Sequence, residues 1–295
     1  MRTLVLGATG FIGGALYRHL VGMGNDVTGS IGRDMCDLTT KPVYSDIFEG
    51  RNYDVVYMCA GTTGGSGLLS KDPLHFVNDN ILMNVHLFAA CKKYGVKKVV
   101  YASSTTAYPD TDAEMREEDY FTGELHGAYF NPGHTRRFIE RLGEMYADHF
   151  ATVFLRPSVV YGPGDDYNLS TSHVIPALVR KVAERQDPIT VWGDGENWRD
   201  AVYIDDMVRA LVLAADAPAG AYNIATGEGI TVKAILDVLC LHARHFPEVK
   251  FDLTKPSMLK RRVLNTNRAR EILGWTPRVR MVEGFARTLD WYASK

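Results

Sequence analysis

Three evenly spaced glycines, Gly7, Gly10 and Gly13, stand in the run LVLGATGFIGG near the start of the chain. An apolar run, Thr3 to Leu6, precedes them and an amphipathic run, Phe11 to Val21, follows. This is the strand–turn–helix context in which a glycine pattern binds a dinucleotide. Gly7 allows a tight turn out of the strand, Gly10 lets backbone approach a pyrophosphate, and Gly13 lets the helix pack closely on the sheet. The helix N-terminus, carrying Phe11 and Ile12, then points at the phosphates. The competing reading is an ordinary turn between a strand and a helix.

The chain has 295 residues, 46% hydrophobic and 23% charged, enough for a large core in one or two domains. A formal net charge of -2, with no basic run and no interleaving of aromatic and basic residues, argues against a nucleic-acid partner. The sequence begins with strand-like residues, without a leader pattern, and has no apolar segment long enough to span a bilayer. The expectation is a soluble, cytoplasmic protein. Cys36, Cys59, Cys91 and Cys240 are scattered, with no Cys/His spacing that suits a metal, and read as reduced core thiols.

Short β-rich runs alternate with helical patterns, which predicts an α/β fold with a doubly wound parallel sheet. Predicted strands are Asp26–Gly29, Asp54–Met58, Lys98–Ala102 and Ala151–Leu155. Predicted helices lie at His75–Tyr94 and at Pro132–His149, the latter with Asn131 as cap and Pro132 as first helical residue. After Arg156 the pattern loosens into helices at His173–Glu184, Ile204–Ala215, Val232–His245, Arg268–Leu273 and around Val282–Tyr292, with short strands at ITVW, VYI, AYNIAT and VKFDL. Residues 1–156 are thus expected to form the Rossmann domain, with a return near 189–216, and residues 157–295 mainly a smaller substrate lobe.

The motifs GATGFIGG, CAGTTGG (Cys59–Gly65), DNILMN (Asp79–Asn84), SSTTAYP (Ser103–Pro109) and RPSVVYGPGD (Arg156–Asp165) follow in order along the chain. By these the chain resembles the extended short-chain dehydrogenase/reductase family. Two longer stretches, NLSTSHVIPALVR (Asn168–Arg180) and ITVWGDGENWRDAVYIDDM (Ile189–Met207), are similar to its fucose-synthase branch of nucleotide-sugar 4-keto reductases and epimerases. The resemblance implies a nicotinamide cofactor, a nucleoside-diphosphate sugar, a GDP-sugar above all, as substrate, and a homodimer built on two helices of the cofactor domain.

An acidic residue at the end of the second strand would hold ribose hydroxyls, whereas a cation would hold a 2′-phosphate. Here DVTGS runs into IGRD, leaving Ser30 and Arg33 in that neighbourhood. This favours NADP(H), with NAD(H) as the alternative. The resemblance adds Asp37 as the residue that contacts adenine, and Ala60 and Gly61 as cofactor neighbours.

Members of this family carry a Tyr-x-x-x-Lys pair, the tyrosine exchanging a proton with the sugar oxygen and the lysine tuning it. Aligned on Glu140, this chain has Arg136 at the lysine position and Pro132 at the tyrosine position. Arginine keeps a positive charge for the nicotinamide ribose. Proline transfers no proton. Candidate substitutes are Tyr129, His134 and His173, the last at the position of a family acid/base histidine. The resemblance makes Ser104 the group that bonds the reacting oxygen, with Thr105 beside it in the sugar site. Thr106 stands where the branch has a cysteine, which argues against 3,5-epimerisation. Ser103 reads as packing. For the substrate, the resemblance implies Arg199 and Arg262 at the diphosphate and Asn168 and Trp192 lining the sugar and nucleotide pockets.

Overall fold

The computed structural model describes residues 1–30, 32–33, 36–63, 72–255 and 259–295. Ile31 and Asp34 of the IGRD run, and Gly64 and Gly65 of CAGTTGG, lie outside the described residues. The strands, in chain order, are β1 (Arg2–Leu6), β2 (Asp26–Gly29), β3 (Val55–Met58), β4 (Lys98–Ala102), β5 (Ala151–Pro157), β6 (Val159–Tyr161), β7 (Ile189–Trp192), β8 (Trp198–Arg199), β9 (Ala201–Tyr203), β10 (Gly220–Ile224), β11 (Ile230–Thr231), β12 (Val249–Asp252) and β13 (Arg261–Arg262). Six of them form one parallel sheet in the order β10-β5-β4-β3-β1-β2.

The sheet is covered on both faces, which is why its inner strands are apolar throughout rather than alternating. Every residue of β3 and all but the first of β1 are buried, while the edge strand β2 is only half-buried. On one face Leu16 and Leu20 of the Phe11–Gly22 helix pack with Met207 and Leu211 of the Ile204–Ala214 helix. On the other, Phe48, Leu87, Phe88 and Ile139 come from the helices Lys41–Phe48, Pro73–Lys93 and Phe130–Met145. Crossovers on both sides of a parallel sheet make the doubly wound fold that the alternation predicts.

Two boundaries differ from the sequence reading. The AYNIAT strand, expected in the smaller lobe, is β10 and extends the main sheet beside β5. Of the return expected near 189–216, the Ile204–Ala214 helix packs on the main sheet, whereas β7 pairs with β12 outside it. The helix expected from Pro132 begins two residues earlier, at Phe130, capped by Tyr129 rather than Asn131. Pro132 is thereby its third residue, where the missing N–H costs no hydrogen bond because the first four helical N–H groups have no partner in the helix. The four cysteines are free as expected, but only Cys91 and Cys240 are buried; Cys36 and Cys59 are partly exposed.

A buried polar network fixes the Phe130–Met145 helix against the sheet. Arg156 on β5 meets Glu140 at 2.7 Å, both side chains all but excluded from solvent. Ser103 donates to Glu140 Oε1 at 2.5 Å, and Arg156 also donates to the Tyr108 hydroxyl at 3.2 Å and the Glu117 carbonyl at 2.8 Å. The guanidinium lies 3.5 Å from the centre of the Tyr120 ring. Despite its burial, its pKa is held above the ordinary arginine value by Glu140. Ser103 thus ties strand to helix, a packing role extended by a hydrogen bond.

Candidate active site

The glycine turn closes at the carboxyl end of β1. Gly7 adopts φ +85°, and a Cβ built on it would fall 2.6 Å from the Ala60 nitrogen, so only glycine fits between β1 and the chain leaving β3. On Gly13 a Cβ would sit 2.2 Å from the Gly7 carbonyl oxygen, whereas on Gly10 its nearest neighbour is 3.3 Å away. Gly7 and Gly13 are therefore bare because the turn and helix touch there, and Gly10 is the least crowded of the three. Phe11 begins the helix, and Ile12 packs on the core. This cradle fits a dinucleotide pyrophosphate. Ser30 accepts a 2.8 Å bond from the Gly7 N–H, so its oxygen braces the turn.

Arg33 lies beyond β2 and donates to Asp79 Oδ2 at 2.8 Å, with Asp37 Oδ1 3.9 Å away. The bond to Asp79 raises the arginine's pKa. Asp37 itself accepts from the Thr39 hydroxyl at 2.7 Å and from the Thr39 N–H at 3.0 Å, and these bonds hold its carboxyl below the ordinary range. Asp79 escapes sequence reasoning because its partner is 46 residues away.

Arg136 reaches the carboxyl ends of β3 and β4. It donates to the Tyr101 hydroxyl, and its NH2 lies 3.5 Å from a Cβ built on Gly61, near Asn80 Oδ1. Tyr101 is fully buried, which raises its pKa. Ser104 caps a short turn at Thr105–Ala107, accepting from the Thr106 N–H at 3.2 Å and bonding the Thr106 hydroxyl at 3.1 Å. Thr105 is 4% exposed.

The three substitute acids occupy different places. His134 is exposed and meets Phe130 edge-on, ring centres 4.6 Å apart. Arg136 follows it by two positions, so the two side chains leave opposite sides of the helix. Tyr129 is half-buried at the other end of the Arg136 face, its ring centre 4.3 Å from the Arg262 guanidinium. His173 caps the Val174–Ala183 helix without a capping bond from its side chain. It is exposed, and desolvation pulls its imidazolium pKa below the usual value while Asp166 pulls it up.

The register of the small sheet β11-β8-β13 sets Arg262 directly beside Arg199. Arg199 donates to the Trp198 and Leu259 carbonyls at 2.7 and 2.9 Å, and burial lowers its pKa, with neighbouring Arg262 adding to the effect and Tyr129 opposing it. Arg262 is 7% exposed, and its buried Nε and NH2 have no hydrogen-bond partner among the described residues. Two adjacent guanidiniums, one with unmet donors, call for an anion. Asn168 is exposed, its Oδ1 taken by the Ser170 N–H and hydroxyl at 3.1 and 2.9 Å. Trp192 is exposed at the end of β7, with the Lys255 ammonium 5.4 Å from its ring centre. The structure therefore gathers Tyr129, Arg199 and Arg262 in one cluster and Gly7, Ala60, Gly61 and Arg136 in another.

Known proteins resemble this chain over nearly its whole length. It is 25% identical to the GDP-L-fucose synthase of Escherichia coli (strain K12), over 99% of this chain and 96% of that protein. It is 29% identical to the UDP-glucose 4-epimerase of Mycolicibacterium smegmatis, over 100% of this chain and 99% of that protein. Among solved structures, the UDP-glucose 4-epimerase of Thermotoga maritima with UDP-glucose superposes with a TM-score of 0.89 at 25% identity, covering 100% of this chain and 99% of that one. The model of the NAD dependent epimerase/dehydratase family matches residues 3–225, from the first strand through the last strand of the main sheet, and the chain belongs to that family.

Proposed function

We propose that the protein is an NADP(H)-dependent oxidoreductase or epimerase acting at C4 of a nucleoside-diphosphate sugar, with a GDP-sugar as the substrate. The observation that carries this reading is the Arg199–Arg262 pair, in which two buried Arg262 donors, without a partner among the described residues, match a diphosphate. The fucose-synthase and epimerase relatives support the substrate class, and Arg33 at the adenosine end supports the phosphorylated cofactor. A bound nicotinamide supplies the hydride acceptor or donor. The chain itself handles the proton: Arg136 carries the positive charge toward the nicotinamide ribose, Ser104 bonds the sugar oxygen, and His173 or Tyr129 replaces the acid/base group that Pro132 lacks.

The exposed rings of Phe130 and Phe138, with Val77 and Ile81, form an apolar groove between the Pro73–Lys93 and Phe130–Met145 helices. This face suits the homodimer. No helix among the described residues is long and apolar enough to cross a membrane.

Single-turnover hydride transfer with GDP-, UDP-, CDP- and dTDP-sugars tests the proposal, together with the mass and absorbance of small molecules released on denaturation. A positioned acid/base group contributes ~10²–10⁴-fold in rate, so His173→Ala or Tyr129→Phe should lower transfer by about that factor. Full transfer in both variants would assign the proton to water or substrate. A second reading, a nucleotide-sugar-binding protein without catalysis, is favoured by Pro132 at the tyrosine position; tight binding of a sugar nucleotide with no hydride transfer would establish it.

A further inference from the structure

We propose that Asp79 sets the dinucleotide preference of this protein by competing with the cofactor's 2′-phosphate for Arg33. The inference rests on the reading of the glycine turn as an NAD(P)(H) site. Arg33 follows β2, and Asp79 is held beside the end of β3 by the Thr62 hydroxyl, which donates to the same Oδ2 at 3.1 Å. In the sheet, β2 and β3 flank β1. The Arg33–Asp79 ion pair therefore crosses the carboxyl end of β1, the crevice where a dinucleotide lies on this fold.

The charge there is not that of a lone arginine. Among the described residues Arg33 contributes one positive charge and Asp79 and Asp37 one negative charge each. Asp37 is already occupied by Thr39 and stands 3.9 Å from Arg33, whereas Asp79 makes the direct bond at 2.8 Å. Of the two carboxylates, Asp79 is the one that takes a donor from the guanidinium fork. A phosphate must displace it or share the fork with it, and meets its repulsion either way. A ribose hydroxyl meets no such repulsion and can donate to a carboxylate. Asp79 thus holds down a preference for the phosphorylated cofactor that Arg33 alone would make larger.

Fluorescence titration of the intact protein with NADPH and NADH tests this. Removing one carboxylate charge without changing shape, Asp79→Asn should tighten NADPH about tenfold and leave NADH within about twofold. Asp79→Glu, which keeps the charge, should restore the parent ratio more closely than Asp79→Asn does. In an Arg33→Ala background Asp79→Asn should bring a clearly smaller gain, the relief of repulsion alone, a coupling that a merely structural role of Asp79 would not produce. Thr62→Val, which removes the anchor of the same oxygen, should shift the ratio in the same direction by less, and it serves if Asp79→Asn does not fold. An unchanged or lowered NADPH-to-NADH preference in Asp79→Asn, or a gain that is undiminished in Arg33→Ala, overturns the inference while both dinucleotides still bind. Failure of the parent protein to bind either dinucleotide overturns the cofactor reading and the inference with it.

Discussion

The guanidinium of Arg262 stacks on the ring of Tyr129, 4.3 Å from its centre, while two of its buried nitrogens find no acceptor among the described residues. The ring fills the space over the charge but offers no carboxylate or carbonyl to it. A bound diphosphate would supply the missing acceptors. Arg262→Ala and Arg199→Ala should each weaken GDP-sugar binding by about 1.5–3 kcal/mol, the worth of a charge-assisted hydrogen bond, and leave dinucleotide affinity unchanged. Calorimetric titration checks both; unchanged sugar-nucleotide affinity would remove the pair from the diphosphate.

Gly10 and Gly13 should respond differently to one added methyl. In Gly13→Ala the Cβ would meet the Gly7 carbonyl at 2.2 Å, and a backbone contact that close must shift the turn, with a loss of about 3 kcal/mol or more. The Gly10 methyl would lie 3.3 Å from the same carbonyl oxygen, a tight contact that needs a shift of only a few tenths of an ångström. Gly10→Ala should therefore cost much less stability than Gly13→Ala and still lose dinucleotide affinity, because its methyl stands where the pyrophosphate approaches. Parallel melting curves and titrations separate the two; retained affinity in Gly10→Ala would show that no phosphate comes near it.

Asp165 should give stability an unusual pH dependence. Its Oδ1 accepts from the Asp166 N–H at 2.7 Å, its Oδ2 is enclosed without a partner, and burial pushes its pKa up from 3.8 to about 7. The folded state binds this proton more tightly than the unfolded state. The stabilisation is full below about pH 4 and is lost as pH rises through about 7. Asp165→Asn keeps the acceptor and removes the titration, so relative to the parent it should gain stability from pH 5 to pH 8, by on the order of a few kcal/mol. Denaturant unfolding at both pH values measures the difference; an equal effect at both would mean that Asp165 is not the titrating group.

Glu140→Gln should destabilise the fold by about 3 kcal/mol, because it leaves the Arg156 guanidinium buried without its counter-charge while the amide oxygen still accepts one hydrogen bond. The Arg156–Glu140 contact is 2.7 Å with both side chains nearly inaccessible. Urea midpoints report the loss, and a midpoint equal to the parent's would mean that the pair is replaceable at no cost.

Much of this molecule is decided locally. The glycine turn, the strand-helix alternation and most element boundaries depend on side-chain periodicity and on backbone freedom within a few residues, so the sequence by itself determines the doubly wound half and the place of the dinucleotide cradle. What the tertiary structure alone decided are the pairings between distant segments. Edge-strand membership placed β10 in the main sheet, because a short strand carries no record of its partner. Strand register set Arg262 beside Arg199. Helix phase turned His134 outward, away from Arg136, and the crossing of the β1 end brought Arg33 to Asp79. Each depends on where two segments meet in space, and the energy that selects the meeting is spread over the packed core rather than written in either segment.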